Sequence, residues 1–257
     1  LIDLGIISGS GFYNFPGLHE ESELIVPTKF GDADVATGVL HGKKLAFISR
    51  HGSNHERLPH MINYRANMLA LHVLDARAVI GTTICGVLDP NIPLGKLAVF
   101  DDLFFPENRL PDGQPCTVYT DKGQKKRGHY IFDKPFNQTL RKQIIRAAPD
   151  SLTEAVYAHV NGPRFNSRSE VRSLRSHATY LSQTAGPEVV MAGELEIPHV
   201  LLGYGVDYAN GVGKEPTPVE TLRRNLEKSK DVFLDVIRGI LKQYEIPEFE
   251  GFVYRFD

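Results

Sequence analysis

The sequence predicts one α/β domain over residues 1–257, with a mostly parallel central sheet flanked by helices. Two observations lead there. Short apolar runs of strand composition alternate with stretches of helical periodicity, the order in which parallel strands are joined through crossover helices. The length, with 42% hydrophobic residues, is enough to bury a substantial core and lies near the upper size of a single domain. Strands are expected over 1–8, 35–40, 44–49, 78–83, 97–100, 155–160 and 200–205. Helices are expected over 63–74, 135–148, 167–176, 187–195 and 218–244, the last being the longest. Within 63–74, Ala66, Leu69, Ala70 and Val73 recur at helical spacing. Residues 103–128, rich in Pro, Gly and charge, read as a long surface loop. The tail carries Phe249, Phe252, Tyr254 and Phe256, an aromatic density that predicts docking onto some surface, which the sequence does not identify.

Composition narrows the partners. Twenty-nine Lys+Arg against 31 Asp+Glu leave a formal net charge of -2, with no basic excess to grip a polyanion, so nucleic acid is not an expected partner. Cys85 lies in an apolar run and Cys116 in a polar loop; the pair forms neither a disulfide framework nor a metal-spaced cluster, which points to a reducing, cytoplasmic setting. The first apolar run lacks a basic flank and breaks at Gly9, too short for a signal peptide or a membrane span.

Polar residues gather where strands end. Gly9-Ser10-Gly11 follows the first strand, a turn that offers backbone N–H groups and a hydroxyl to an anion, although such turns also serve as plain punctuation. Arg50-His51-Gly52 closes another strand and puts a forked guanidinium beyond a strand's carboxyl end, where sheet folds bind ligands. His51, His55 and His60 follow no zinc spacing, so no metal is expected; the alternative for them is a surface cluster capping the helix that starts near Asn63. Thr82-Thr83-Ile84-Cys85-Gly86 supplies hydroxyls at a third strand end, with a buried strand turning at glycine as the ordinary reading. Gly162-Pro163-Arg164-Phe165 pairs a rigid turn with an aromatic face able to stack on a planar base. Thr184-Ala185-Gly186-Pro187-Glu188 enters a helix at proline. Asp207, beside Tyr208 past the last apolar strand, is a candidate carboxylic acid in a pocket or an ordinary turn residue.

These segments together resemble the methylthioadenosine phosphorylases of the trimeric purine nucleoside phosphorylase family. The resemblance rests on IISGSGFYNFPGL, FISRHGSNHERLPHMINYRANMLAL, VIGTTICGV, GPRFNSRSE and QTAGPEVVMAGE, in that order along the chain, and fades after about Tyr208. It implies a single α/β domain with a mixed, partly barrel-like sheet, a homotrimer, and no cofactor or metal beyond inorganic phosphate as co-substrate. By the same resemblance Ser10, Arg50, His51, Thr83, the backbone N–H of Ile84 and Thr184 would hold phosphate. Phe165 would pack on the purine, with His55 also among the nucleoside-binding residues and Gln183 standing where the family has a methionine beside the ribose. His129 would reach a neighbouring subunit's site near the 5′ substituent, in a pocket lined by Val219 and Leu222. Asp207 would contact purine N7. The family pattern Thr-Asp-Tyr-Asp reads Val206-Asp207-Tyr208-Ala209 here, so the acid that reads a 6-amino group is missing and Asn210 lies next to the gap.

The chemistry so implied is attack of phosphate on the anomeric carbon through an oxocarbenium-like transition state. Arg50 and the hydroxyls would hold the dianion, while a protonated Asp207 neutralises the departing base. Three alternatives stay open: a phosphorylase for 6-oxopurine nucleosides or methylthioinosine, a hydrolytic nucleosidase, and a silent nucleoside-binding relative.

Overall fold

Among residues 1–256, which the computed structural model describes, every expected strand and helix forms and five further strands join them. In chain order the elements are β1 (Leu4–Ser8), β2 (His19–Thr28), β3 (Gly31–Leu40), β4 (Lys43–Ser49), α1 (Tyr64–Val73), β5 (Val79–Val87), β6 (Leu97–Val99), β7 (Asp102–Phe104), β8 (Gly128–Ile131), α2 (Gln138–Ala147), β9 (Val156–His159), α3 (Arg168–Leu174), β10 (Tyr180–Ser182), α4 (Gly186–Glu194), β11 (His199–Tyr208), α5 (Val219–Leu241) and β12 (Phe252–Arg255). α1, α2 and α3 start where polar side chains satisfy free N–H groups, whereas α4 and α5 start without a side-chain cap. Asn63 accepts from Ala66, Asn137 accepts from Leu140, and Ser167 forms a reciprocal capping box with Glu170.

The central sheet has ten strands and is mixed, not mostly parallel. β4, β1, β5 and β11 run parallel to one another, but β2, β3 and β4 form an antiparallel meander, β10 runs antiparallel to β5 and β6 antiparallel to β11. β5 organises the rest. Along one edge it pairs with β11 over its whole length. On the other it pairs with β1 only through Gly81, and with β10 only from Gly86 onward. Residues 82–85 therefore lack a strand on that edge, and the sheet opens there between the ends of β1 and β10.

Side-chain alternation sends the two sheet faces to different helices. Leu4, Ile6, Ile80, Val200 and Leu202 pack with Leu140, Phe233 and Ile237 of α2 and α5. Ile7, Ala46, Ile48 and Val79 pack with Tyr64, Met68, Met191 and Ala192 of α1 and α4.

Of the two segments outside the expected elements, one departs from expectation. The stretch 103–128 is anchored, and its Leu110, Cys116 and Val118 are buried, so Cys116 is no surface residue. Arg65 donates to the carbonyls of Pro115 and Thr117 at 2.9 and 2.8 Å, and the Glu194 carboxylate accepts from the Thr117 hydroxyl and the Val118 N–H at 2.7 Å. Charged anchors reaching out from α1 and α4 do here what an apolar run would do elsewhere. The tail docks as expected: β12 pairs with β8 in a separate two-stranded ribbon, and Glu250 caps α2 through the N–H groups of Gln138 and Thr139. No helix among the described residues is long and apolar enough to cross a membrane.

Candidate active site

The opening beside β5 leads into a cavity of about 350 Å³. Its walls bring together most of the residues singled out in the sequence. Ser10, Thr83, Ile84 and Thr184 line it, as do His51 and His55. Phe165, Gln183, Asp207, Ala209, Asn210 and Leu222 line it too. Arg50, His129 and Val219 do not. His129 stands exposed on β8, its ring edge-on to Phe256 at 5.4 Å. Val219, at the start of α5, is 63% exposed.

Arg50 lies directly behind the cavity. Its side chain is fully buried, and Nε and Nη2 donate to the two carboxylate oxygens of Glu188 at 2.5 and 2.7 Å. Nη1 donates to the carbonyl of Thr82 at 3.0 Å. Burial works hardest against the guanidinium charge, yet the charge and hydrogen bonds of Glu188 hold its pKa above the ordinary value. A guanidinium carries five N–H bonds, so one on each terminal nitrogen remains. Gly9 makes the approach possible: a Cβ there would stand 3.1 Å from Nη1 and 3.0 Å from the Thr82 carbonyl. The Gly9-Ser10-Gly11 turn thus lies over the guanidinium, and Gly9 N–H is held by the Thr82 hydroxyl at 3.4 Å.

The hydroxyls form a connected group. Thr83 Oγ1 lies 2.9 Å from Ser182 Oγ and 3.3 Å from Thr184 Oγ1, both at the end of β10 or just past it. Ala185, left-handed at φ 72°, turns the chain from there into α4, whose first turn delivers Glu188 to Arg50. His51 donates from Nδ1 to the carbonyl of Arg57 at 2.8 Å and stacks on His55, ring centroids 4.4 Å apart. Burial, and after it the charge of Arg50, push His51 down to about 4. His55 is itself tied to the Tyr13 hydroxyl at 2.9 Å. His51 and His55 are therefore part of the cavity wall, His60 is not, and the cap of α1 is Asn63 rather than a histidine.

At the other polar end, Asp207 belongs to β11 itself and does not lie beyond it. A register shift between Gly205 and Asp207 turns the carboxylate toward the cavity, opposite Gly86. Burial raises its pKa to about 6, against an opposing hydrogen bond from its own backbone. Cys85 lines the same wall with its thiol pushed up by burial, so it stays protonated and unreactive. Asn210 donates to the backbone carbonyl of Asn166 at 2.7 Å, and Asn166 Oδ1 has no partner among the described residues.

Four residues of this site have roles that the motifs do not assign: Glu188, Ser182, Asn166 and Tyr13. Glu188 left the clearest trace, a lone acid in the otherwise apolar helix start GPEVVMAG. Buried acids need a partner, and Arg50 was the unpaired candidate.

Comparison with known proteins fits this geometry. The family model described as the phosphorylase superfamily matches residues 3–242. The chain belongs to the phosphorylase superfamily. Among relatives, a 6-oxopurine nucleoside phosphorylase of Pyrococcus furiosus is 31% identical over 92% of this chain and 91% of its own length. An S-methyl-5′-thioadenosine phosphorylase of Pyrococcus horikoshii is 34% identical over 95% and 93%. The crystal structure of a methylthioadenosine phosphorylase from an antarctic soil metagenomic library superposes with a TM-score of 0.83 at 25% identity, covering 93% of this chain and 85% of that one. Membership of the phosphorylase superfamily agrees with the mixed α/β fold.

Proposed function

We propose that the chain is a pentosyltransferase that cleaves the N-glycosidic bond of 5′-methylthioadenosine, or a close purine nucleoside, by phosphorolysis. The products are the free purine and a ribose 1-phosphate derivative. The observation that carries this reading is that Asp207, a carboxylic acid raised to about 6, shares one cavity with a cluster of hydroxyls backed by a buried arginine. Thr83 and Gly86, three residues apart on β5, separate the two polar ends by roughly 10 Å, room for a ribosyl group between anion and base.

In this mechanism Ser10, Thr83, Thr184 and the Ile84 N–H orient phosphate beneath the anomeric carbon, and the two spare N–H bonds of Arg50 supply positive charge from behind. The anion attacks as the C–N bond breaks, and it stabilises the cationic sugar. Asp207, protonated, donates to purine N7 so that the base leaves neutral; activation of this kind contributes roughly 10²–10⁴-fold. Phe165, 70% exposed at the cavity rim, closes over the purine. Leu222 faces the 5′ substituent, with Val219 and the neighbouring subunit's His129 completing that side in a homotrimer. No cofactor takes part, and the two free cysteines suit the reducing cytoplasm.

A second reading has support of its own. Ala209 offers no acceptor for a 6-amino group, and one relative is named for 6-oxopurines. The test is incubation with methylthioadenosine, methylthioinosine, adenosine, inosine and guanosine, each with and without phosphate, and quantification of the free base. Phosphate-dependent release from methylthioadenosine is the expected result. Turnover of inosine substrates alone selects the second reading, and equal release without phosphate makes the chain a hydrolase.

A further inference from the structure

The Phe165 side chain is exposed, yet the backbone that carries it is pinned. Three consecutive carbonyls of the loop between β9 and α3 each accept from a side chain. Gln183, the residue after β10, donates from Nε2 to the carbonyl of Arg164 at 2.8 Å. Arg164 donates from Nη1 to the carbonyl of Phe165 at 3.2 Å, and its guanidinium is held by both carboxylate oxygens of Glu170. Asn210, two residues past β11, donates from Nδ2 to the carbonyl of Asn166 at 2.7 Å. A carbonyl only accepts, so both amides must turn their N–H₂ groups to the loop. The pair of Arg164 and Glu170 is exposed and screened by water, so it holds little alone. The two amides reach from firmer ground. Gln183 lies between the buried Ser182 and Thr184, and a Cβ at Gly162 would collide with its Oε1. β10 and β11 pair with β5 on opposite edges, so the loop is strung between the two neighbours of the strand that organises the cavity.

We infer that Gln183 and Asn210 are positioning residues that clamp the backbone of residues 164–166, so that Phe165 is presented to a purine as a fixed shelf. Only the ring's own side-chain torsions are left to adjust to the base. The inference rests on the reading of the cavity as a nucleoside site and deepens it. An unpinned surface loop would spend part of the binding energy on being ordered, and its exposed phenyl ring would be free to turn away from the ligand. Here the ordering precedes the ligand. Gln183, Asn210, Phe165 and Asn166 all line the cavity, so the clamp and the surface it sets belong to one wall. The methionine that the resemblance implies at position 183 has no hydrogen to donate to the Arg164 carbonyl. The clamp therefore belongs to this chain's own residues.

The test compares the wild type, Gln183→Met, Asn210→Ala and the double variant, each with Phe165 intact and with Phe165→Ala. Hydrogen exchange over residues 162–169 of the free protein should speed up about 3- to 10-fold in each single variant and further in the double one. Calorimetric dissociation constants for adenine and hypoxanthine, and KM for methylthioadenosine, should rise by about 3- to 10-fold per lost bond, while KM for phosphate moves by less than about two-fold. With Phe165→Ala the clamp has nothing to present, so the same substitutions should then change purine binding by less than about two-fold. An equal loss in both backgrounds overturns the inference, since the amides then touch the ligand themselves. Exchange that stays at the wild-type rate in the double variant overturns it from the other side, because the loop is then held by other means. If exchange rises as expected but the wild type binds neither base, the clamp stands and the nucleoside reading of the cavity is what fails.

Discussion

Arg50 and Asp207 are both ionisable groups delivered by strands to one cavity, and the protein treats them in opposite ways. Arg50 is sealed behind the wall with a bidentate carboxylate partner, so its charge is permanent. Asp207 faces the cavity with no cation beside it, so its charge is discouraged. A buried charge that must persist needs a partner; a group that must hand over a proton needs the lack of one. The same burial therefore makes one end of the cavity an electrostatic anchor and the other a proton donor.

The comparison breaks most visibly at Asp207. Asp207→Ala should lower kcat/KM by roughly 10²–10⁴-fold, read as base release at saturating phosphate. In the wild type, kcat/KM should fall as pH rises through about 6, since the proton needed at N7 is lost there; a flat profile from pH 5 to 8 contradicts this role. At Arg50 the loss should appear in folding. Glu188→Ala leaves a buried guanidinium unpaired and should destabilise the protein by about 3–5 kcal/mol in denaturant unfolding. A change below about 1 kcal/mol would mean that water or another group already compensates Arg50.

The contrast also predicts a stability gain. The folded pKa of Asp207 lies above its unfolded value, so its contribution to stability is complete below about 3.8 and is lost as pH rises through about 6. Asp207→Asn should therefore be more stable than the wild type at pH 8, by about 1–3 kcal/mol, and the difference should shrink as pH falls from 6 toward 4. Thermal melts across that range decide it. The smallest effect is one of selectivity. Ala209→Asp should shift kcat/KM toward methylthioadenosine over methylthioinosine by about 1–3 kcal/mol, one polar contact's worth. No shift would place recognition of the 6-substituent elsewhere, with the unpartnered Asn166 Oδ1 as the next residue to vary.

Much of this was legible in the sequence, for reasons that particular residues show. The strands that alternate two buried faces, such as Ile6 and Ile7 in β1, announce themselves, and Asn63, Asn137 and Ser167 mark helix starts by side-chain chemistry alone. β2 could not be found this way, because most of its residues are exposed and nothing in HEESELIVPT alternates toward a core. β8 and β12 depend on a partner more than a hundred residues away, and β10 has only three residues. Some of the cavity's polar groups, such as Ser10 and His51, were recognisable because they follow a strand directly, whereas Thr83 lies mid-strand in β5 and Asp207 within β11. Their couplings were not: the pairing of Arg50 with Glu188 and the tautomer of His51 follow from which elements meet, and no local spacing encodes that.

The ribbon of β8 and β12 bears on how the chain is made. Residues 128–131 leave the ribosome more than a hundred residues before 252–255, which supply their strand partner. The central sheet, whose last strand β11 ends at Tyr208, can close while β8 still has an open edge. His129 thus reaches its final setting only after the cavity is built.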